Sequence, residues 1–259
     1  MLFDTHNHLQ DFDSAAIPDI MKRAAQAGVT RMAVNGTFPG DWQKVLEIAR
    51  ENKGVVPCFG LHPWHISKAG QNWLPLLEEF LKGIPSCVGE IGLDGALKDA
   101  DGAEQEKAFI LQLELACRLN RPAVIHCVRA WGRMAEILKK HAPAAGFMLH
   151  AYGGPPDIVP GLADLGAYFS FTGDIENPER EKLRKALAIV PEDRLLFETE
   201  SPFLSGPPHP EKSWQREPAG IKEVIKSAAR ILGKDFKPLV KISATNAQRF
   251  FKAVLTGNL

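Results

Sequence analysis

The feature that most constrains this chain is a regular alternation along its length. Short β-branched or apolar runs take turns with longer segments of helical periodicity. The runs cover residues 2–9, 31–36, 55–63, 86–94, 123–128, 147–152, 167–173 and 195–202. Between them lie amphipathic stretches such as 104–119, where Phe109, Leu113 and Ala116 recur three or four apart on one face. Gly28 punctuates the end of the first such stretch, and Pro122 stands just before the fifth run. Near-continuous apolar strands separated by helices imply a parallel sheet covered on its outer face. Eight repeats imply an α/β protein of the closed (β/α)8, or TIM, barrel type.

No Ser/Gly-rich linker or shift in composition divides the 259 residues, so one barrel domain spanning 1–259 is the expected organisation. The 31 Lys and Arg balance the 31 Asp and Glu. A polyanion would therefore be held by local contacts and not by an overall field. The opening Met1-Leu2-Phe3-Asp4 lacks the basic start and apolar run of a signal peptide, and no stretch approaches the length of a membrane span. A cytoplasmic, monomeric protein without membrane contact is expected. Cys58, Cys87, Cys117 and Cys127 form no CxxC pair and read as free thiols. Cys127 is expected to face the helix layer.

Chemistry in such barrels sits at the C-terminal ends of the strands. His6 and His8 are expected to end the first strand, His62 the third, Glu90 the fourth, His126 the fifth, His150 the sixth and Glu200 the eighth. Strand alternation predicts that Asp4, His6 and His8 share the lumenal side, as do Glu198 and Glu200. Imidazoles mixed with carboxylates suit zinc, manganese or similar ions better than calcium. Six ligand candidates, His6, His8, Glu90, His126, His150 and Glu200, exceed one open catalytic zinc site and suit two divalent metals, with Glu90 as a bridge. Two such cations bring more charge than Glu90 and Glu200 cancel, which favours an anionic substrate and phosphodiester hydrolysis. Glu200 is the carboxylate expected to accept or steer the proton, beside the bridging Glu90. Asp4, Asp94 and Glu198 read as carboxylates that orient ligating imidazoles. His62, between Gly60-Leu61 and Pro63, suits either a turn or contact with a substrate phosphate. A Pro-rich stretch, 205–214, is expected to form an ordered loop over the barrel mouth; Lys212 and Trp214 within it and Arg216 just after it suit a solvated loop with one exposed aromatic, or else charge and a stacking surface for a single strand.

These motifs resemble the TatD family of metal-dependent deoxyribonucleases. Asp4-Thr5-His6-Asn7-His8-Leu9 is similar to the family's opening DTHxHL, Gly60-Leu61-His62-Pro63 to its GxHP, and Gly89-Glu90-Ile91-Gly92-Leu93-Asp94 to its GEIGLD. Gln105, Phe109, Gln112, Ala116 and Pro122 follow the pattern that leads to His126. His150-Ala151-Tyr152-Gly153-Gly154, the run from Glu198 to Leu204, and Glu217-Pro218 complete the likeness. The resemblance implies a TIM barrel and DNase activity supported by Mg, Mn or Zn, often 3' to 5' exonucleolytic, with DNA as substrate. This chain departs from the family pattern in three places. Glu200 stands where Asp is usual, Arg216 replaces an Asn, and Val128 occupies an Arg position, with Arg129 one residue later as a substrate-binding candidate.

Two other functions use the same residues. One is a small-molecule amidohydrolase, lactonase or phosphotriesterase-like enzyme, although no lysine stands at the fourth or fifth strand end for carboxylation. The other is a non-catalytic binding protein with a relic metal site.

Overall fold

The computed structural model describes residues 1–97, 101–203 and 217–256. Eight strands alternate with helices in the order β1 (Leu2–Asn7), α1 (Ile17–Gln26), β2 (Val29–Asn35), α2 (Pro39–Glu51), β3 (Val55–Phe59), α3 (Trp73–Gly83), β4 (Cys87–Asp94), α4 (Gly102–Leu119), β5 (Ala123–Val128), α5 (Trp131–His141), β6 (Phe147–Leu149), α6 (Val159–Asp164), β7 (Ala167–Phe171), α7 (Glu181–Ile189) and β8 (Leu195–Phe197). Three further helices, α8 (Ile221–Leu232), α9 (Phe236–Phe250) and α10 (Lys252–Leu255), follow the last strand. The strands pair in parallel in sequence order from β1 to β8. Beyond the last strand the ring is drawn shut by two backbone bonds, Glu200 N–H to the His6 carbonyl at 3.1 Å and His8 N–H to the Ser201 carbonyl at 2.7 Å. The (β/α)8 barrel expected from the alternation is the fold observed.

Two apolar layers hold it together. The larger lies between the strands and the helices and includes Cys127, as expected from the sequence. The smaller fills the barrel interior at its N-terminal end, where Phe3, Ala33, Val56, Val124, Met148 and Leu196 meet. Phe250 and Phe251, at the end of α9, plug this layer from below, with Phe251 stacked on Phe3 at 5.0 Å between ring centroids. The interior is therefore packed at its base, and above it polar side chains begin with the buried Thr5–Ser170 hydroxyl pair at 3.0 Å and gather towards the opposite mouth.

Several strands are shorter than the apolar runs suggest. The third run stops at Phe59 because His62 caps a 3-10 helix over Pro63–Lys68, its Nδ1 accepting the Trp64 N–H at 3.2 Å. The eighth stops at Phe197, beyond which the chain turns towards β1. The stretch 205–214 expected as a loop, with Lys212 and Trp214, and Arg216 after it, lie outside the described residues. Among the described residues no helix is long and apolar enough to cross a membrane.

Candidate metal centre

Glu90 sits at the middle of the barrel mouth because the backbone around it is bare. A Cβ on Gly89 would come within 2.6 Å of the Val124 side chain, and one on Gly92 within 2.0 Å of the His126 carbonyl. Gly92 also has φ +146, a conformation that side chains rarely adopt. These glycines let β4 press against β5, which brings Glu90 beside His126.

Five imidazoles surround the Glu90 carboxylate. Oε2 lies 3.3 Å from Nε2 of both His6 and His8. Oε1 lies 2.8 Å from His150 Nε2, 3.1 Å from His126 Nδ1 and 3.2 Å from His62 Nε2. Glu200 lies beside the first group, with Oε2 3.5 Å from His6 Nε2 and Oε1 3.6 Å from His8 Nε2, and its Oε2 is also 3.3 Å from His150 Nδ1. The His6 and His8 Nε2 atoms are themselves only 3.1 Å apart. Two groups of donors thus share one carboxylate.

Neighbouring groups aim the rings. His8 Nδ1 faces the Asn35 carbonyl at 2.8 Å, which directs Nε2 at the centre. Asp94 Oδ2 lies 3.3 Å from His126 Nε2. Glu198 Oε1 accepts the Ala151 N–H at 2.7 Å and lies 3.4 Å from His150 Nδ1. His62 is turned the other way. Its Nδ1 accepts a backbone N–H, so Nε2 carries the proton and donates to Glu90.

Helix α4 positions two of these residues through glutamine amides. Gln112 accepts from the Leu61 N–H at 2.7 Å and donates to the Leu61 carbonyl at 3.1 Å, immediately before His62. Gln105 does the same for Asp94, at 2.8 and 3.2 Å. Each side chain replaces a missing strand partner where the backbone leaves the sheet.

Asp4 is placed differently from the sequence reading, in which it orients an imidazole. Its carboxylate accepts the Thr199 N–H at 2.9 Å and the Thr199 hydroxyl at 2.7 Å, together with the Asn7 amide at 3.0 Å. The pairing of β1 with β2 slips between Asp4 and Asn7, so simple alternation does not carry through this strand. Asp4 instead ties β1 to the turn between Glu198 and Glu200. Burial pushes its carboxyl up to about 7 against the opposing bonds from Thr199 and Asn7.

Arg129, Ala151 and Glu200 all have left-handed backbones, with φ of 52°, 42° and 58°. Each follows the end of a strand, and each lines the same cavity of about 1100 Å³. Such conformations cost of the order of 1 kcal/mol or more and gather at functional sites. They also bring Arg129 to the cavity, where alternation from Val128 would have sent it away. Arg216, the other arginine picked out from sequence, lies outside the described residues, and its neighbour Glu217 pairs with Arg23 on α1 at 2.7 Å.

The electrostatics fit divalent cations. Burial would lower the imidazoles of His8 and His150, but the carboxylates of Glu90 and Glu200 outweigh it and hold both well above the usual histidine range. Burial would raise Glu90 and Glu200, yet the imidazoles hold both well below the usual carboxylate range. Protons on the rings thus balance the buried carboxylates, and a cation that displaces those protons restores the same balance. The donor atoms of His6, Glu90 and His150 lie within 4.8 Å of one another, as do those of His6, His8 and Glu200. Glu200 Oε2 is buried between the His150 and His6 imidazoles, at 3.3 and 3.5 Å, without a well-formed hydrogen bond to either, and so has a lone pair to offer a cation.

Two aromatic side chains to which the sequence pattern assigns no role stand at the mouth. Trp64 is 57% exposed and Phe203 is 52% exposed, and both line the cavity. The available signal was the position of each, directly after His62-Pro63 and Ser201-Pro202.

Comparison with known proteins finds likenesses over nearly the whole chain. A family model described as TatD related DNase matches residues 3–252. The chain is 32% identical to the 3'-5' ssDNA/RNA exonuclease TatD of Edwardsiella piscicida, over 92% of this chain and 94% of that one. It is 29% identical to a protein of Bacillus subtilis strain 168 named as the uncharacterized metal-dependent hydrolase YabD, over 97% and 99% of the two chains. Among solved structures, the TatD homologue YJJV of Escherichia coli K12 aligns with TM-score 0.87 and 28% identity, covering 97% of this chain and 98% of that one. A lactonase of Listeria monocytogenes shares the fold at TM-score 0.66 and 16% identity, covering 96% and 94%.

Proposed function

Because this chain belongs to the TatD-related family of metal-dependent hydrolases, we propose that it hydrolyses phosphodiester bonds of single-stranded DNA with two divalent metal ions. The observation that carries the proposal is the division of Glu90. One carboxylate oxygen faces His6 and His8, the other faces His62, His126 and His150, and Glu200 lies beside His6 and His8 with its Oε2 also 3.3 Å from His150 Nδ1. His6, His8, Glu90 and Glu200 would hold one ion, and His126, His150 and Glu90 the second. Mg²⁺, Mn²⁺ and Zn²⁺ all suit this donor set. When bound, such ions acidify water and neutralise charge on a phosphodiester.

The protein groups have separable tasks in this reading. The Glu200 side chain is 17% exposed against 3% for Glu90, so Glu200 is the carboxylate that meets an incoming water and takes its proton. His62, with its proton on Nε2 and burial holding it down at about 4, stays neutral and steadies Glu90 from the far side. Asp94 and Glu198 orient His126 and His150. Arg129 and Lys182 line the cavity at positions suited to substrate phosphates. The exonuclease name of the Edwardsiella relative supports 3' to 5' removal of nucleotides.

The test uses metal-stripped protein and a labelled single-stranded oligonucleotide. No cleavage is expected until Mg²⁺ or Mn²⁺ is restored, and products should shorten from the 3' end. Full activity after complete metal removal would overturn the proposal.

A further inference from the structure

Trp64 has no part in the chemistry proposed above, yet its environment is unusual for an exposed side chain. A surface tryptophan ordinarily changes rotamer freely. Here the indole N–H donates to Asp94 Oδ2 at 2.7 Å, and that same oxygen lies 3.3 Å from His126 Nε2. Asp94 is itself immobile, its backbone N–H and carbonyl both held by Gln105 and its Oδ1 accepting the Ala96 N–H at 2.9 Å. The His62 ring meets the indole nearly at right angles, with centroids 4.8 Å apart. A large aromatic surface is thus left facing the cavity while its orientation is fixed by a carboxylate of the metal centre. The ordering entropy of a flat partner's platform has been met before that partner arrives.

We propose that Trp64 is a stacking platform for a nucleobase next to the phosphodiester being cleaved. This rests on the reading of the centre as a phosphodiesterase. The cavity argues for a nucleic acid over other planar ligands, since Arg129 lines it together with Trp64, and Lys182 on α7, across the mouth, extends the cationic lining towards phosphates further along a strand. A base within a duplex is covered on both faces, so the platform selects single strands. Every base has a π face, so it does so without sequence preference.

The test measures binding, separately from cleavage. A fluorescent, hydrolysis-resistant phosphorothioate hexanucleotide is titrated with Mn²⁺-loaded protein, and abasic sites are placed at each position in turn. In the wild type, one abasic position is expected to weaken binding by about tenfold, a typical value for one base stacked on one aromatic ring. Trp64→Ala should weaken the intact oligonucleotide by a similar factor and lose its sensitivity to that position, whereas Trp64→Phe should retain part of both. If Trp64 served only to brace Asp94 and His126, Trp64→Ala would weaken intact and abasic ligands equally and reduce Mn²⁺ affinity. That result overturns the platform. Wild-type protein that binds with the expected coupling but never cleaves an unmodified strand would leave the platform standing and overturn the phosphodiesterase reading. Failure to bind any oligonucleotide would overturn both.

Discussion

The backbone N–H of Glu200 donates to the His6 carbonyl at 3.1 Å, while the Glu200 carboxylate lies 3.5 Å from the His6 imidazole. One residue pair therefore both closes the barrel and forms an edge of the metal centre. The geometry of the centre is thereby tied to the join between β8 and β1, at the two ends of the strand order.

Shortening Glu200 tests whether the pocket is built around its length. Glu200→Asp withdraws the carboxylate by about 1.5 Å, one carbon–carbon bond, and aspartate tolerates the left-handed backbone well. Mn²⁺-supported hydrolysis should fall by about tenfold, and Glu200→Gln should cost about a hundredfold or more through loss of the proton acceptor. Steady-state cleavage of a single-stranded oligonucleotide measures both. A gain on Glu200→Asp would show that the pocket is not fitted to glutamate.

Removing one donor group should remove one ion. In a His126→Ala/His150→Ala double variant, tightly bound metal after dialysis is expected to drop from two ions per chain to one, since His6, His8, Glu90 and Glu200 remain. Elemental analysis by mass spectrometry counts them. An unchanged stoichiometry would place the second ion elsewhere.

Asp4 should act through Thr199. Asp4→Ala leaves the Thr199 N–H and hydroxyl without their acceptor, and thermal or urea unfolding should show a loss of about 2 kcal/mol or more. Metal affinity should fall at the Glu200 side and persist at the His126–His150 side. Asp4→Asn, which keeps an acceptor oxygen, should recover much of the stability.

Asp41 provides a pH signature of folding away from the centre. It accepts the Thr37 N–H and hydroxyl, both at 2.8 Å, and burial pushes its carboxyl from 3.8 up to about 6. A group raised in the folded state contributes stability that is fully present below about pH 4 and is lost as pH rises through about 6. The stability difference between wild type and Asp41→Asn should therefore change by on the order of 2–3 kcal/mol across that window. Above pH 7 it should be flat. Urea midpoints at several pH values would reveal a difference that does not move, which would rule the assignment out.

The plug of the barrel base should be separable from function. Phe251→Ala removes a fully buried ring stacked on Phe3, and a loss of about 3–5 kcal/mol is expected. The kcat of the folded fraction should not change, because the plug lies at the end of the barrel opposite the centre.

Much of this was legible in the chain itself. Apolar periodicity is a local property, so eight strand and helix pairs could be counted before any contact was known. His6, His8 and His150 fall at or beside strand ends, where barrel topology alone brings them together, whereas Glu90, expected at the end of its strand, lies inside β4, and His126 inside β5. Alternation is reliable only while ladder hydrogen bonds hold the backbone extended, and it failed where they stop. Arg129 and Glu200 turn left-handed just past their strands. Asp4 bonds Thr199 across 195 positions, and the Trp64 indole is fixed by Asp94, 30 positions away. What the sequence determined by itself is the barrel and the kinds of donor at its mouth, because strand pattern and side-chain chemistry are carried residue by residue. The tertiary structure alone decided how Glu90 is shared, what holds Glu200 in place and which aromatic is fixed beside the metal centre, because each depends on bonds between segments that only the closed barrel brings within reach.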